Sequence, residues 1–365
     1  MGRNLKESGP LKVIGLMSGT SMDGIDAAWL ETDGEAVAAF GPAVAKAYSP
    51  DFRTRLHRFI AAAPERHHPA AARLEAELTD LHAAAVHELV EKAGALPDLI
   101  GFHGQTIWHR PQRRATWQMG DGARLAKAMN VPVVFDFRAN DVARGGQGAP
   151  LAPVFHAALA RALPKPVAVI NIGGVGNITW IGEGDDLLAF DTGPGNGLLD
   201  DWMLKHMNVP IDRDGRMALS GRVDAERLAR MLSNKYLAQR PPKSLDRFDF
   251  TADSIKGLSV ADGAATLVDL TVACIAQALA HCPAKPKRLL VTGGGRHNPA
   301  MMARLAALTE LPVDPVEREG WQGDMLEAQA FAYMAARSVR NLPLSFPTTT
   351  GVPAPMVGGK LVQSN

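Results

Sequence analysis

Short apolar runs alternate with polar, glycine-rich loops at the start of the chain. Residues 11–17 are apolar without helical spacing, residues 18–24 are rich in glycine and serine, and residues 25–30 are apolar again. Two such runs around a turn that ends in Asp-Gly predict a β-hairpin. A third stretch, residues 37–48, can supply another strand of the same sheet.

Helical spacing follows this hairpin. Residues 52–62 and 70–92 predict two helices. The second has apolar side chains at helical spacing, namely Leu74, Leu78, Leu81, Ala85 and Leu89. Residues 99–103 and 131–135 predict short strands, and the glycines and proline of residues 145–150 then interrupt regular structure. We expect the chain to cross from one domain to the next near that interruption.

The second half of the chain begins in the same way as the first. A strand at residues 167–172, a tight loop at 173–177 and a strand at 178–181 repeat the order of strand, glycine loop and strand. Residues 187–190 predict a further strand, which ends at Asp191. This repeat indicates two related domains, and two copies are too few for a solenoid.

Strands and long helices alternate to the end of the chain. The later elements are a helix at residues 260–281, a strand at 288–292 and a final helix at 325–339. This alternation predicts the α/β class. With 365 residues, the chain also exceeds the size at which a single core stops growing.

Composition narrows the class of protein. The net charge is +1, from 39 basic and 38 acidic side chains, so no concentrated positive face for nucleic acid is indicated. The N-terminus has no apolar signal core, and the most apolar helix, around residues 267–280, is too short for a bilayer span. Cys274 and Cys282 are not part of a CxxC pair and are expected to be buried and reduced. We therefore expect a cytoplasmic protein that binds neither nucleic acid nor a membrane.

The common nucleotide-binding signatures are absent. Neither G-x-x-x-x-G-K-[ST] nor a helix-opening G-x-G-x-x-G occurs. Glycine loops instead follow strands at residues 19–24, 173–176, 193–197 and 293–295. Backbone N–H groups in such loops bind anions without a lysine. Each loop alone is explained as an ordinary turn, whereas four together favour a polyphosphate ligand.

Two aspartates stand in these loops. Asp23 and Asp191 could position Mg²⁺ through water, because hard cations prefer carboxylate oxygens. Asp23 is equally well explained as a turn residue, and Asp191 as the N-cap of the helix that follows it. The eleven histidines form no H-E-x-x-H motif and no cluster with cysteine, so no zinc site is predicted.

Six ordered segments carry a family resemblance. They are GLMSGTSMDG at 15–24, HGQT at 103–106, the stretch 136–150 with DFR, Asp141 and GGQGAP, NIGG with Asn177 at 171–177, FDTGPGN at 190–196, and TGGG at 292–295 followed by Glu327. In this order they resemble the anhydro-N-acetylmuramic acid kinases, from about Val13 to the C-terminus.

The resemblance implies the fold of actin and hexokinase. Two ribonuclease H-like domains would surround a cleft that binds ATP. The N-terminal domain would comprise residues 1–136 plus about 346–365, and the C-terminal domain residues 137–345. The family also leads us to expect a homodimer.

The resemblance further implies roles for individual residues. Asp191 would be the catalytic base. The sugar-binding residues would be His103, Arg138, Asp191, Gly193, Asn196 and Glu327. The ATP-binding residues would be Gly19, Thr20, Ser21, Met22, Asp23, Gly24, Ile25, Asp26, Gly173, Gly174, Asn177, Gly293, Gly294 and Gly295. A surface arginine paired with Asp141 explains Arg138 at least as well from the sequence alone.

The implied reaction uses ATP and Mg²⁺. It hydrolyses the 1,6-anhydro ring of 1,6-anhydro-N-acetylmuramic acid and phosphorylates O6, giving N-acetylmuramic acid 6-phosphate and ADP in peptidoglycan recycling. Inverting glycosidases need two carboxyl groups, but in this reaction the γ-phosphoryl group captures O6, so one ionised aspartate suffices. Two alternatives stay open: an actin-like ATPase without a sugar substrate, and a kinase of another amino or anhydro sugar.

Overall fold

The computed structural model describes residues 5–6, 9–19, 21–245 and 249–364. The chain forms two compact units: unit 1 comprises Met1–Leu159 and Met325–Asn365, and unit 2 comprises Ala160–Asp324. Residues 137–159 and 325–345, which the prediction assigned to the second domain, group with unit 1. The predicted limits at residues 136 and 345 describe the two domains that the resemblance implies, and they stay a prediction.

The described part of the chain contains strands and helices in alternation. The strands are β1 (Leu11–Ser18), β2 (Gly24–Thr32), β3 (Val37–Ala47), β4 (Leu99–Arg110), β5 (Ala115–Met119), β6 (Val133–Phe135), β7 (Val167–Ile172), β8 (Val175–Ile181), β9 (Leu187–Pro194), β10 (Leu289–Thr292), β11 (Val313–Pro315) and β12 (Lys360–Val362). The helices are α1 (Pro50–Ala61), α2 (Ala71–Ala93), α3 (Gly122–Met129), α4 (Ala139–Ala143), α5 (Pro153–Leu159), α6 (Gly197–Met207), α7 (Arg216–Ser220), α8 (Ala225–Leu232), α9 (Val260–Ala278), α10 (Pro299–Thr309) and α11 (Leu326–Val339).

The described strands of unit 1 form one sheet. Its order is β12-β6-β4-β1-β2-β3, and β5 pairs with β4. Strand β2 runs antiparallel to both β1 and β3, whereas β4 runs parallel to β1 and β6 runs parallel to β4. The central strand β1 is buried along most of its length, as expected where a sheet has parallel neighbours and covered faces.

The described strands of unit 2 repeat this connectivity. Their order is β11-β10-β7-β8-β9, with β7, β8 and β9 antiparallel and with β10 and β11 parallel to β7. In unit 1, β1, β2 and β3 form a meander, and β4 and β6 lie on the other side of β1. In unit 2, β7, β8 and β9 form a meander, and β10 and β11 lie on the other side of β7. This is the ribonuclease H-like arrangement that the resemblance implies. The predicted α/β class is confirmed.

Helix α11 packs against the sheet of unit 1 at backbone distance. A Cβ added to Gly15 on β1 would lie 1.8 Å from the carbonyl oxygen of Ala328. A Cβ added to Gly101 on β4 would lie 2.2 Å from the carbonyl oxygen of Phe331. Both separations are far below any real carbon–oxygen contact, so glycine at these two positions is what allows the helix to approach.

Helix α9 belongs to the core of unit 2. Together with its continuation to His281 it is, among the described residues, the one helix long and apolar enough to cross a membrane by length and composition, and 67% of its apolar 18-residue window is buried inside the fold. The expectation that it is too short for a bilayer span is therefore wrong. Its partly polar side contains Asp269, which forms an ion pair with Arg304 of α10. This combination is typical of a core helix in a globular unit.

The sequence pattern missed some elements. Strand β4 continues to Arg110, beyond the predicted end at residue 103, because β5 pairs with its second half. Helices α3 and α10 were not predicted, although each has a start signal. Asp121 accepts from two N–H groups at the start of α3, and Asn298 caps α10 ahead of Pro299.

We expect Gly15→Ala to lower the free energy of unfolding by roughly 1–3 kcal/mol or more, because the added methyl group overpacks the contact between β1 and α11. Gly19→Ala is the matched control in unit 1, since its nearest neighbour, the Ser21 hydroxyl, would lie at 3.6 Å. Urea denaturation measures both. Equal stability of the two variants would contradict the close approach.

The buried His82 should make the fold acid-sensitive. Its Nδ1 lies 2.8 Å from the carbonyl oxygen of Leu78, and its ring lies 4.8 Å from that of Phe102. Burial lowers the pKa of His82 to about 4, whereas an unfolded histidine has a pKa of roughly 6.5. The unfolded state therefore takes up a proton first, and this contribution to stability, complete above pH 6.5, is lost as the pH falls toward 4.

Between pH 7 and pH 5, we expect the free energy of unfolding of the native chain to fall by about 2 kcal/mol more than that of the His82→Phe variant. Urea midpoints at the two pH values give the comparison. His57, which is exposed on α1, provides the control variant His57→Phe. The expectation fails if His82→Phe and His57→Phe respond alike to acid.

Candidate active site

Three glycine-containing loops of unit 2 meet at the ends of β7, β9 and β10. The carbonyl oxygen of Gly173 accepts from the N–H of Asn196 at 2.7 Å, and that of Gly174 accepts from the N–H groups of Gly195 and Gly197, each at 3.1 Å. The Asn196 amide also donates to the carbonyl oxygen of Ile172 at 3.0 Å. The structure thus brings together residues that the sequence predicted for both ATP and sugar binding.

The loop after β10 joins the same cluster. Gly293 has φ +75°, and a Cβ there would lie 2.3 Å from Oδ1 of Asn171. A Cβ on Gly294 would lie 3.3 Å from Nδ2 of Asn196. The buried Arg296 holds this loop by donating to the carbonyl oxygen of Gly293 at 2.9 Å.

Two carboxylates form ion pairs with the buried Arg296 guanidinium. Glu317 and Asp324 each accept from its guanidinium at 2.7 Å. Burial alone would raise the pKa of Asp324, but the hydrogen bond and charge of Arg296 lower it overall. Arg296 was not among the residues predicted from the sequence. Its position directly after Gly293-Gly294-Gly295 was the available signal.

Asp191 lies on β9, opposite Asn177 of β8. The pairing skips Thr192 before Gly193 meets Gly176, and such a bulge redirects side chains at a strand end. The Asp191 carboxylate is half-buried, and its Oδ2 accepts from the N–H of Leu245 at 2.8 Å. The N-cap position of α6 is Asn196, five residues after Asp191, so the capping alternative for Asp191 is wrong.

A pocket of about 430 Å³ opens beside Gly294 and Asn196 in unit 2. Asp212 shapes it by accepting from the N–H groups of Met217 and Ala218, at 2.8 and 3.0 Å. The remaining lining residues include Leu199, Asp200, Ile211, Arg213, Asp214, His297 and Asn298. The pocket therefore combines an apolar side with several polar groups, as small-molecule sites do.

In unit 1, a polar network fixes the loop between β1 and β2. The buried Ser18 hydroxyl contacts the Tyr48 hydroxyl and Oε1 of Gln105, each at 2.7 Å. The Gln105 amide donates to the carbonyl oxygen of Gly19 at 3.1 Å. Burial is the main reason why the pKa of Tyr48 lies above its usual range, so this hydroxyl keeps its proton. Gln105 lies within the HGQT motif, yet its role in holding the loop was not predicted.

The tip of this loop contains several of the residues predicted to bind ATP. Ser21 donates to Oδ1 of Asp23 at 2.7 Å, and Met22 has φ +53°, a region that costs a non-glycine residue roughly 1 kcal/mol. Thr20 lies outside the described residues. Ile25 is buried in the core of unit 1, and Asp26 pairs in register with Met17, so both belong to the sheet behind the loop.

His103 and Arg138, both predicted to bind the sugar, contact each other in unit 1. Nε of Arg138 donates to Nε2 of His103 at 3.1 Å, and Nδ1 of His103 lies 2.7 Å from the carbonyl oxygen of Gly104. Burial, followed by the positive charge of Arg138, holds the pKa of His103 well below its usual range. His103 is therefore a neutral imidazole with its proton on Nδ1.

Helix α11 connects the third predicted sugar residue to this pair. The ring of Phe331 lies 4.5 Å from that of His103. Glu327 is exposed in the first turn of α11, four residues before Phe331 and on the same side of the helix.

Asp141 organises the neighbouring loop. Its Oδ1 accepts from the N–H of Gly148 at 2.6 Å, and its Oδ2 accepts from the hydroxyls of Ser345 and Thr350. Arg138 donates to the carbonyl oxygen of Gly148 at 2.7 Å and is only half-buried. The buried Asp141 carboxylate therefore organises the loop at 145–150 and does not form the pair with a surface Arg138 that the alternative supposed.

Within the described residues, no group of three or more His, Cys, Asp or Glu side chains could hold a metal ion. A site built entirely from protein carboxylates or imidazoles is therefore not found in this part of the chain. A hard cation that took most of its ligands from phosphate and water would fit the carboxylates that are present.

These two units, with one connectivity and with glycine loops at their strand ends, define the architecture of the actin- and hexokinase-type fold. The family model for anhydro-N-acetylmuramic acid kinase matches residues 11–363. The chain belongs to the anhydro-N-acetylmuramic acid kinase family.

Relatives of that name resemble the chain over nearly its whole length. The protein from Rhodospirillum rubrum is 52% identical over 358 residues, covering 98% of this chain and 96% of the relative. The protein from Acidiphilium cryptum is 53% identical over 358 residues, covering 97% and 98%. Both carry the name anhydro-N-acetylmuramic acid kinase.

Solved structures resemble the chain more distantly. A ROK family glucokinase from Streptomyces griseus, in complex with glucose and AMPPNP, is 15% identical with a TM-score of 0.41, and covers 90% of this chain and 99% of its own. A xylulose kinase from Lactobacillus acidophilus is 10% identical with a TM-score of 0.45, and covers 97% and 94%. Likeness at this level says nothing about activity.

Proposed function

We propose that this chain transfers the γ-phosphoryl group of ATP to O6 of 1,6-anhydro-N-acetylmuramic acid while water opens the anhydro ring. Family membership over nearly the whole chain supports a sugar kinase. The observation that carries the proposal is Asp191, a half-buried residue near the end of β9 that pairs with Asn177 of β8, the strand that follows Gly173-Gly174. The products are N-acetylmuramic acid 6-phosphate and ADP.

This reaction balances with a single protein base. The oxygen of water bonds to C1, the bond between C1 and O6 breaks, and O6 bonds to the γ-phosphorus. The bond between that phosphorus and ADP breaks at the same time. Asp191 accepts the proton of the attacking water. A second carboxylic acid, which inverting glycosidases need for the leaving oxygen, is unnecessary because phosphorus captures O6.

The glycine loops are assigned to the phosphates of ATP. In unit 1 the described turn residues 19 and 21–24, and in unit 2 the residues 173–177, are proposed to supply backbone N–H groups at strand ends. The pocket beside Gly294 is assigned to the adenosine portion, because it combines apolar and polar walls and adjoins the loop at residues 293–295. Thr20 stays a predicted contact outside the described residues.

Mg²⁺ fits this site as an ion held mostly by phosphate oxygens and water. Asp23 is the candidate protein carboxylate in unit 1, where it is exposed at the loop tip. When bound, such an ion would neutralise charge on the phosphates. The protein's own contribution is to hold Asp23 in place through the Ser21 hydroxyl.

The sugar is assigned to His103, Arg138 and Glu327 in unit 1 and to Asp191, Gly193 and Asn196 in unit 2. The substrate has a lactyl carboxylate, and a guanidinium is the side chain best shaped to bind one. Arg138 is half-buried and oriented by His103 and the carbonyl oxygen of Gly148. The neutral His103 leaves Arg138 as the cation of this pair.

The cellular location, the oligomeric state and the metabolic role of the enzyme are also proposed from the family. We propose a cytoplasmic homodimer that acts on small sugars in peptidoglycan recycling. Light scattering coupled to size exclusion would test the dimer, and a monomeric mass at working concentration would contradict it.

We expect Asp191→Asn to lower turnover by about 10²–10⁴, because the amide cannot accept a proton from water. ATP binding should persist. The control is Asp185→Asn, an exposed aspartate in the turn between β8 and β9. Turnover of the native chain in ¹⁸O-labelled water should place the label on the anomeric hydroxyl and leave the phosphate unlabelled. Undiminished activity in folded Asp191→Asn would remove this residue from the mechanism.

We expect Arg138→Ala to raise the KM for the sugar by about 10- to 100-fold, the cost of losing a hydrogen bond to a charged group. The KM for ATP should change far less. Arg144→Ala, at an exposed arginine nearby, serves as the control. If both KM values rise together in Arg138→Ala, the residue supports the loop at 145–150 and does not contact sugar.

A further inference from the structure

The segment from Tyr236 to Leu245, termed the 236–245 arm, runs along the end of β9. The Asp191 N–H donates to the carbonyl oxygen of Lys243 at 3.1 Å, and the Tyr236 hydroxyl donates to the carbonyl oxygen of Asp191 at 2.7 Å. The Leu245 N–H then donates to the carboxylate itself. The arm therefore contacts Asp191 through its N–H, its carbonyl group and its side chain.

The Lys243 ammonium closes this arm on itself. Its Nζ donates to the carbonyl oxygens of Tyr236 and Leu237, both at 3.1 Å. It lies 4.6 Å from the centre of the Tyr236 ring and 5.7 Å from that of Phe190, the residue before Asp191. Lys243 is 7% exposed, and lysine is rarely so buried without partners. The Lys243 side chain thus ties the two ends of the arm together.

Burial and neighbouring charges act on the two ionisable groups of the arm, Lys243 and Tyr236. Burial lowers the pKa of Lys243, while Cys274 and Asp191 act in the opposite direction. Burial raises the pKa of Tyr236 above its usual range, and Asp191 and Asp249 add to that effect. The Tyr236 hydroxyl therefore remains a donor.

Among the described residues, another titratable group beside the arm follows the end of α9. His281 packs edge-on against Phe190 at 5.8 Å, and its Nε2 lies 3.3 Å from the carbonyl oxygen of Leu237. Among the groups just named, Lys243 is the cation whose charge acts directly on Asp191.

We propose that Lys243 is a positioning residue for the catalytic base: by tying the 236–245 arm together, it fixes the Leu245 N–H on the Asp191 carboxylate and keeps that carboxylate aimed and ionised. This inference rests on the proposed role of Asp191. It assigns to Lys243 no contact with sugar or nucleotide. A shift of about 1 Å in a reacting group can cost about 10²-fold in rate, so a loosened arm should appear in kcat.

The test compares Lys243→Met, which removes the charge and keeps the length of the side chain, with Lys243→Arg, which keeps a charge. Lys235→Met is the matched control, because Lys235 is exposed and directly precedes Tyr236. For each variant the measurements are kcat, both KM values, the pH profile of kcat and the melting temperature. The substrates are ATP and 1,6-anhydro-N-acetylmuramic acid.

We expect Lys243→Met to lower kcat by about 10²-fold with both KM values little changed. The acidic limb of its pH profile should move to higher pH, because a carboxylate without its neighbouring cation is protonated more easily. Lys243→Arg should restore the acidic limb and part of kcat. A purely structural lysine would lower the melting temperature without moving the acidic limb.

Two outcomes would overturn the inference: a kcat of Lys243→Met equal to that of Lys235→Met, or a lower kcat with an unmoved acidic limb. Should Lys243→Met fail to fold, Tyr236→Phe decides. Loss of its hydroxyl should lower kcat about tenfold with both KM values retained, and an unchanged kcat would refute the arm's role.

Asp191→Asn separates this inference from the proposed function. If Asp191→Asn is inactive and Lys243→Met is fully active, the inference alone fails. If Asp191→Asn is active, the proposed function fails first. In an Asp191→Asn background, adding Lys243→Met should reduce the residual rate no further, because the arm acts through that carboxylate.

Discussion

The candidate site depends on backbone segments that approach each other more closely than side chains would allow. In unit 2, the carbonyl groups of Gly173 and Gly174 receive N–H groups from residues 195–197, and Gly293 stands against Asn171. The same kind of approach joins β1 to α11 in unit 1 through Gly15. Where Cβ atoms are missing, peptide groups can face a ligand directly, which suits a highly charged substrate.

Much of the fold could be predicted from the sequence. The apolar runs at residues 11–17, 25–30 and 167–172 are strands, and both hairpins form as expected because their pattern is local. The α/β class and the repeat of one connectivity follow from those patterns. The extension of β4 could not be read in the same way, since it depends on pairing with β5 rather than on its own residues.

The site was predictable in part. The glycine loops of unit 2 come together, and His103 contacts Arg138, whereas the roles given to these residues remain predictions. The residues that hold the site residues in place were not predicted from the sequence. Gln105 reaches Gly19 across 86 residues of sequence, and Leu245 reaches Asp191 across 54. Such contacts depend on tertiary structure, and no periodicity or spacing in one sequence encodes them.

Unit 1 is built from both ends of the chain, since α11 and β12 lie beyond the whole of unit 2. During synthesis, unit 2 has all of its strands and helices once residue 324 has left the ribosome. At that moment the sheet of unit 1 still has Gly15 and Gly101 uncovered, because Ala328 and Phe331 have not yet emerged. The first unit to be translated is thus the last to be completed, and a chain truncated before α11 would expose an apolar sheet face to chaperones and proteases.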